Sequence, residues 1–193
     1  MDSDYRHGIK EHTMKLCALV VGHKKNNPGA KNQGAGLSEF EFNEQLAIDI
    51  ERKVSNVNVQ RVYRRTYRQL PSDIDELAPD FIVSLHCNAF NQQASGCEML
   101  YYHRSQKGKA MADILQTKIQ TALGNKDRGL KARSAEDRGG YLLRYTSAPC
   151  VITEPFFIDN DEELGNAKTN YDQLVAAYAE AIEAIAVSNA VVT

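Results

Sequence analysis

The chain has 193 residues, 42% of them apolar, with 23 Lys and Arg against 25 Asp and Glu, which is the make-up of one ordinary globular domain and excludes a collagen-like, coiled-coil or wholly disordered chain. A formal charge of −2 and a pI near 6.2 supply no broad positive field, so nucleic acid is not an expected partner. No apolar stretch approaches the roughly 20 residues needed to cross a bilayer, and the first residues are polar rather than basic and then apolar, so neither a membrane anchor nor a signal peptide is expected.

Residues 1–13 show no apolar periodicity, whereas Met14 opens MKLCALVVGH, a natural start followed at once by a strand. The segment 1–13 therefore reads as disordered or extraneous, and 14–193 as the domain. His7 and His12 lie in that segment and carry little weight as metal ligands in a tail without packing. Leu16 to Val21 is a continuous apolar run closed by Gly22 and His23, the pattern of a strand buried on both faces. After the polar loop KKNNPGAKNQGAGLS the period changes: Phe42, Leu46, Ile50 and Val54 recur every fourth residue and predict a helix from Glu39 to Val54. Ser38 and Glu41 have the spacing of a capping box, in which hydroxyl and carboxylate satisfy free N–H groups of the first turn. Glu39 opens the apolar stripe one turn before Phe42, a place for a dipole-stabilised carboxylate or for a ligand.

Val57 to Tyr63 alternates as a second strand, Phe81 to Leu85 is a third that ends in His86, and Cys97 to Tyr102 is a fourth. Met111, Ile114, Leu115, Ile119 and Ala122 mark an amphipathic helix that ends near Leu123. The stretch 124–140 reads as a long polar loop with Lys126, Arg128, Lys131, Arg133 and Arg138 against Asp127, Glu136 and Asp137. Long loops in compact domains are commonly functional, and Arg128 is singled out as a substrate-binding residue. A strand at Cys150 to Thr153 and a helix from Tyr171 to Ala186, with Leu174, Tyr178, Ala181, Ile182 and Ile185 on its apolar face, complete the pattern. Strands alternating with helices predict a single α/β domain whose mostly parallel or mixed twisted sheet is covered by helices on both faces. Ligands in such folds bind beyond the carboxyl ends of the strands.

Cys17, Cys87, Cys97 and Cys150 lack CxxC spacing and fall in or beside apolar runs, as reduced, buried thiols do. Cys87 directly follows His86, but strand alternation sends the two side chains to opposite faces, which argues against a catalytic thiol.

His23, His86 and Glu154 each end an apolar run, and the three can meet at one sheet edge. Two imidazoles and one carboxylate from distant segments make the ligand set of a hydrolytic zinc site, which keeps its fourth position for water. Glu154, left over, would take a proton from that water and pass it to the leaving amine. A structural zinc site would instead use a closely spaced, Cys-rich set.

At these residues the sequence resembles the zinc-dependent N-acetylmuramoyl-L-alanine amidases, the family that includes many phage endolysins and bacterial cell-wall hydrolases. The likeness runs from about Lys15 to Ile185. It rests on GHKKNNPGA (22–30) and SLHCNA (84–89) for the two histidine motifs, GLSEFEFNEQLA (36–47) for the helix-opening glutamate, and ITEPFFIDN (152–160) for the catalytic glutamate. The resemblance implies one Zn2+ per chain held by His23, Glu39 and His86, with Glu154 catalytic and Asn88 supporting the ligands or touching substrate. It further implies cleavage of the amide between N-acetylmuramic acid and L-alanine. Val21 replaces the acidic residue usual before Gly22, and Phe40 and Glu44 depart from the helix motif, but the four central residues are present.

The implied partner is peptidoglycan. The implied setting is a phage or prophage endolysin, cytoplasmic in the producing cell and reaching the wall through a holin. Two alternatives stand beside it: a zinc peptidase of the carboxypeptidase type, which needs a cation for a terminal carboxylate, and a catalytically inactive wall-binding module, which would lack a ligand or the glutamate.

Overall fold

The computed structural model describes residues 14–188; the N-terminal segment, His7 and His12 included, lies outside the described residues. In chain order the elements are β1 (Leu16–Val21), β2 (Lys31–Asn32), β3 (Leu37–Ser38), α1 (Glu39–Lys53), β4 (Asn58–Tyr63), α2 (Leu70–Asp75), β5 (Phe81–Leu85), β6 (Cys97–Tyr102), α3 (Gln106–Leu123), β7 (Asp127–Arg133), α4 (Gly140–Tyr145), β8 (Cys150–Glu154), α5 (Asp161–Thr169) and α6 (Tyr171–Val187). Six strands form one sheet in the order β4-β1-β5-β8-β6-β7, and β2 and β3 make a small hairpin ahead of α1. The first four strands of that order are mutually parallel, β6 runs antiparallel to β8, and β7 follows β6 in parallel. The sheet is therefore mixed.

Alternation along β1 divides the core. Cys17, Leu19 and Val21 face a large cluster with Leu46 and Ile50 of α1, Leu115 of α3 and Tyr178 of α6. Ala18 and Val20 face a smaller cluster closed by Leu70 and Ile74 of α2 and Leu142 and Leu143 of α4. A strand with neighbours on both faces needs apolar residues at every position, which is why β1 reads as an unbroken run. Both features expected at the start of α1 are present: the capping box of Ser38 and Glu41, and burial of Phe42, Leu46 and Ile50 along one face. Gly124, in the left-handed region at φ 61°, ends α3.

The stretch 124–140 departs from the expected loop. Seven of its residues form β7, at the edge of the sheet. An edge strand needs no apolar face on its open side and gains from charge there, which blocks pairing with other chains; the sequence DRGLKAR has that character and no clear alternation. The short helices α2, α4 and α5 also lacked a long enough period to show. Two of the three carry start signals: Pro71 in the first turn of α2 and Asn160, which caps the N–H groups of Glu162 and Glu163 in α5.

Candidate metal centre

The parallel strands deliver their carboxyl ends to one side of the sheet. There β1 passes through Gly22 to His23, β5 passes to His86, and β8 ends in Glu154. Glu39, the first residue of α1, comes in from the preceding hairpin, its own N–H donating to the Ala30 carbonyl at 2.8 Å. Its fully buried carboxylate lies between the two imidazoles: Oε2 is 3.1 Å from His23 Nε2 and Oε1 is 2.9 Å from His86 Nδ1. Backbone N–H groups orient it further, Ala30 donating to Oε2 at 3.2 Å and Cys87 to Oε1 at 3.0 Å. Burial alone would raise the proton affinity of Glu39, but the hydrogen bonds of His23 and then His86, with their charge, hold it well below the usual carboxylate range.

One ligand atom from each of His23, Glu39 and His86 lies within 4.8 Å of the others, and the rings meet edge to face with centroids 5.1 Å apart. The backbone around them is shaped to fit. His23 itself sits at φ 65°, a conformation that non-glycine residues hold only when their surroundings enforce it. A Cβ at Gly29 would stand 2.6 Å from Glu39 Oε2 and 2.7 Å from His23 Cδ2, and one at Gly22 would stand 2.8 Å from His86 Cε1. Glu154 is buried, and its Oε2 has no hydrogen-bond partner. Its proton affinity is pushed up to about 8, first by burial and next by the charge of Glu39, against the opposing pull of Arg138. Two imidazoles, one oriented carboxylate and an orphaned carboxyl oxygen fit a hydrolytic zinc ion, whose ligands are nitrogen and oxygen and whose open position serves water.

Asn88 and Arg128 meet elsewhere. Asn88 Nδ2 donates to Glu98 Oε1 at 3.1 Å and Arg128 Nε donates to Glu98 Oε2 at 2.7 Å, while the Arg128 guanidinium lies over the Phe157 ring at 5.0 Å. Glu98 is buried on β6 directly opposite Glu154. It was the residue missed in the sequence, although a glutamate inside the apolar run CEMLYY was its signal. The Cys87 thiol is buried beside Asn43, at 3.7 Å, and burial followed by the charge of Glu39 pushes its pKa upward. That is the opposite of what a nucleophilic thiol requires.

Against His23, His86 and Glu154 opens a cleft of about 580 Å³. Its floor is the thinner-covered face of the sheet, at Val20, Leu100 and Ile152, and its sides carry Arg64, Tyr67, Arg138 and Tyr141.

The model of the Amidase_3 family, N-acetylmuramoyl-L-alanine amidase, matches residues 17–184. This chain belongs to that family. The N-acetylmuramoyl-L-alanine amidase LytC of Bacillus subtilis is 28% identical over 156 residues, which are 76% of this chain and 30% of LytC, so the chain spans under a third of that relative. The endolysin of Bacillus phage SPP1 is 28% identical over 191 residues, 89% of this chain and 66% of the endolysin. Among solved structures, the N-acetylmuramoyl-L-alanine amidase of Clostridium difficile 630 superposes with a TM-score of 0.80 at 21% identity, covering 91% of this chain and 98% of that one. The last likeness establishes the fold: the single mixed-sheet α/β domain is that of amidase catalytic domains. Among the described residues of this family member, no helix is long and apolar enough to cross a membrane.

Proposed function

We propose that the chain is a zinc-dependent peptidoglycan amidase that cleaves the bond between N-acetylmuramic acid and the L-alanine of the peptide stem, with one zinc held by His23, Glu39 and His86. The observation that carries this reading is the buried Glu39 carboxylate shared by two imidazoles beside the unpartnered oxygen of Glu154. Zinc bound there would supply a Lewis acid for the scissile carbonyl and a water of lowered pKa. Glu154 takes the proton of the attacking water as the water oxygen bonds to the carbonyl carbon, then returns it to the alanine nitrogen as the C–N bond breaks. Burial and the charge of Glu39 raise its proton affinity into the range where both transfers are accessible near neutral pH. The amides of Ala30 and Cys87 hold Glu39 in its orientation. Asn88 and Arg128 support the centre through Glu98, next to Glu154 on the adjoining strand.

We read residues 14–193 as the catalytic domain, and the setting as that of an endolysin, produced in the cytoplasm and admitted to peptidoglycan by a holin. The likeness to the SPP1 endolysin over 89% of this chain supports that setting. The test is zinc content by elemental analysis together with release of new N-terminal L-alanine from peptidoglycan, before and after chelation. One zinc per chain and chelator-sensitive release are expected. Metal-free protein that still releases L-alanine overturns the centre. Zinc with release of a free carboxyl-terminal amino acid instead would mark a carboxypeptidase, and zinc with no release a binding module.

A further inference from the structure

We propose that Arg64 and Arg138 form an anion subsite in the cleft, which holds a free carboxylate of the peptide stem and makes the enzyme select stems by charge; this rests on the amidase reading above. Three other arginines nearby are already paired. Arg61 pairs with Glu51 at 2.7 Å, Arg128 with Glu98 at 2.7 Å, and Arg65 with Asp73. Among the described residues, Arg64 and Arg138 make no ion pair and no side-chain hydrogen bond, and both line the cleft that ends at His23, His86 and Glu154. Strand order sets them apart, and the segments beyond the strands bring them back over one cleft. Arg64 directly follows β4, at one end of the sheet, and Arg138 lies in the turn after β7, at the other.

The segments that carry them are joined across the cleft. The rings of Tyr67 and Tyr141 lie 5.7 Å apart, and the Tyr141 hydroxyl donates to the Arg68 carbonyl at 3.2 Å. Arg64 is half-buried, its guanidinium carbon 5.7 Å from the Tyr67 ring centroid. The ring contact leaves N–H groups of the guanidinium for an acceptor, and arginine grips a carboxylate through two such bonds. Burial weakens the hold of Arg64 on its proton, yet guanidinium remains charged, so a partly desolvated cation stands without a carboxylate in direct contact. An anion at those N–H groups would offset the lost hydration.

Each arginine also acts on a carboxylate of the centre, Arg64 on Glu39 and Arg138 on Glu154. The cleft they share with His23, His86 and Glu154 places the subsite beside the bond to be cut. The apolar floor strengthens any charge pairing above it. Of the anions on the rim, Asp137 accepts from the Ser134 amide at 2.6 Å and Glu136 is exposed; both keep their charge and would repel an acidic stem.

The test compares kcat/KM for two muropeptides that differ only in whether the stem carboxylates are free or carried as carboxamides. The wild type is expected to prefer the free acid. Arg64→Gln and Arg138→Gln are each expected to lower that preference ratio about ten- to hundredfold, the usual loss for a truncated charged hydrogen bond. Arg64→Lys retains part of the ratio, and Glu136→Gln raises it. Because the readout is a ratio, a loss of folding or zinc common to both substrates does not move it. Variants with the wild-type ratio overturn the subsite alone. A wild type that turns over neither substrate overturns the amidase reading and the subsite together.

Discussion

At Glu154 a carboxyl is buried with one oxygen unpaired, and its pKa is pushed from the ordinary 4.5 up to about 8. Between those values the folded chain keeps a proton that the unfolded chain has released. Stability therefore falls as pH rises through that window, by up to about 1.4 kcal/mol per pH unit. Zinc-stripped Glu154→Gln should accordingly melt above zinc-stripped wild type at pH 8 and level with it near pH 4; equal melting at pH 8 would mean that the carboxyl ionises freely within the fold. The same variant, loaded with zinc, should hold the metal and lose roughly 10²–10⁴ in turnover, the range for removing a general base. Turnover at the wild-type rate would assign the proton to another group. His86→Ala should lose both zinc and wall lysis, and full activity in that variant would remove the metal from the mechanism.

The first turn of α1 is the element on which the proposed ligand set depends. Ser38 Oγ accepts from the Glu41 N–H at 3.3 Å and donates to Glu41 Oε2 at 2.6 Å, so the residue after the cap, Glu39, sits in a fixed turn. Ser38→Ala should cost about 1 kcal/mol, or about 2–4 °C in Tm for a domain of this size. Fraying at that end should also weaken zinc binding in a competition titration; unchanged zinc affinity at a lowered Tm would show that the hairpin and the Ala30 and Cys87 amides hold Glu39 without the cap. Gly29→Ala reverses the balance. Its Cβ would meet Glu39 Oε2 and the His23 ring at a backbone φ of 80°, so zinc affinity should drop more than the fold's own stability.

Across the whole molecule, the candidate ligands come from three segments that only the folded chain brings together, so a metal binding them stabilises the fold by mass action. At free zinc 100 times the dissociation constant the gain is about 2.7 kcal/mol. Thermal scans across a zinc series should therefore show Tm rising with free zinc in wild type and a flat response in His86→Ala. A flat wild-type response would separate zinc from the native state altogether. The same folding places the cleft over the thinner helical layer of α2 and α4, which leaves the site open to a large polymer while α1, α3 and α6 bury the opposite face.

The strands β1, β4, β5, β6 and β8 and the helices α1, α3 and α6 were legible in the sequence because burial on a fixed face imposes a fixed period. His23, Glu39, His86 and Glu154 stood out as candidates because each stands where such a period begins or ends. Cys87 was legible as a buried thiol by the same alternation that sends His86 the other way. β7 was not, because an edge strand has one open side and its residues need not alternate. Nor were the partners of Asn88 and Arg128: that both turn to Glu98 follows from β6 lying against β8 and β7. Nor was it legible that Arg64 and Arg138 line one cleft, because they follow opposite edge strands and only the segments beyond bring them over the same face. Sequence by itself determined which faces are buried and singled out the candidates His23, Glu39, His86 and Glu154, since both readings rest on a few consecutive residues. Tertiary structure alone decided which of those residues share a counter-charge and which are left without one, because ion pairing depends on distances that strand order sets and no local period encodes.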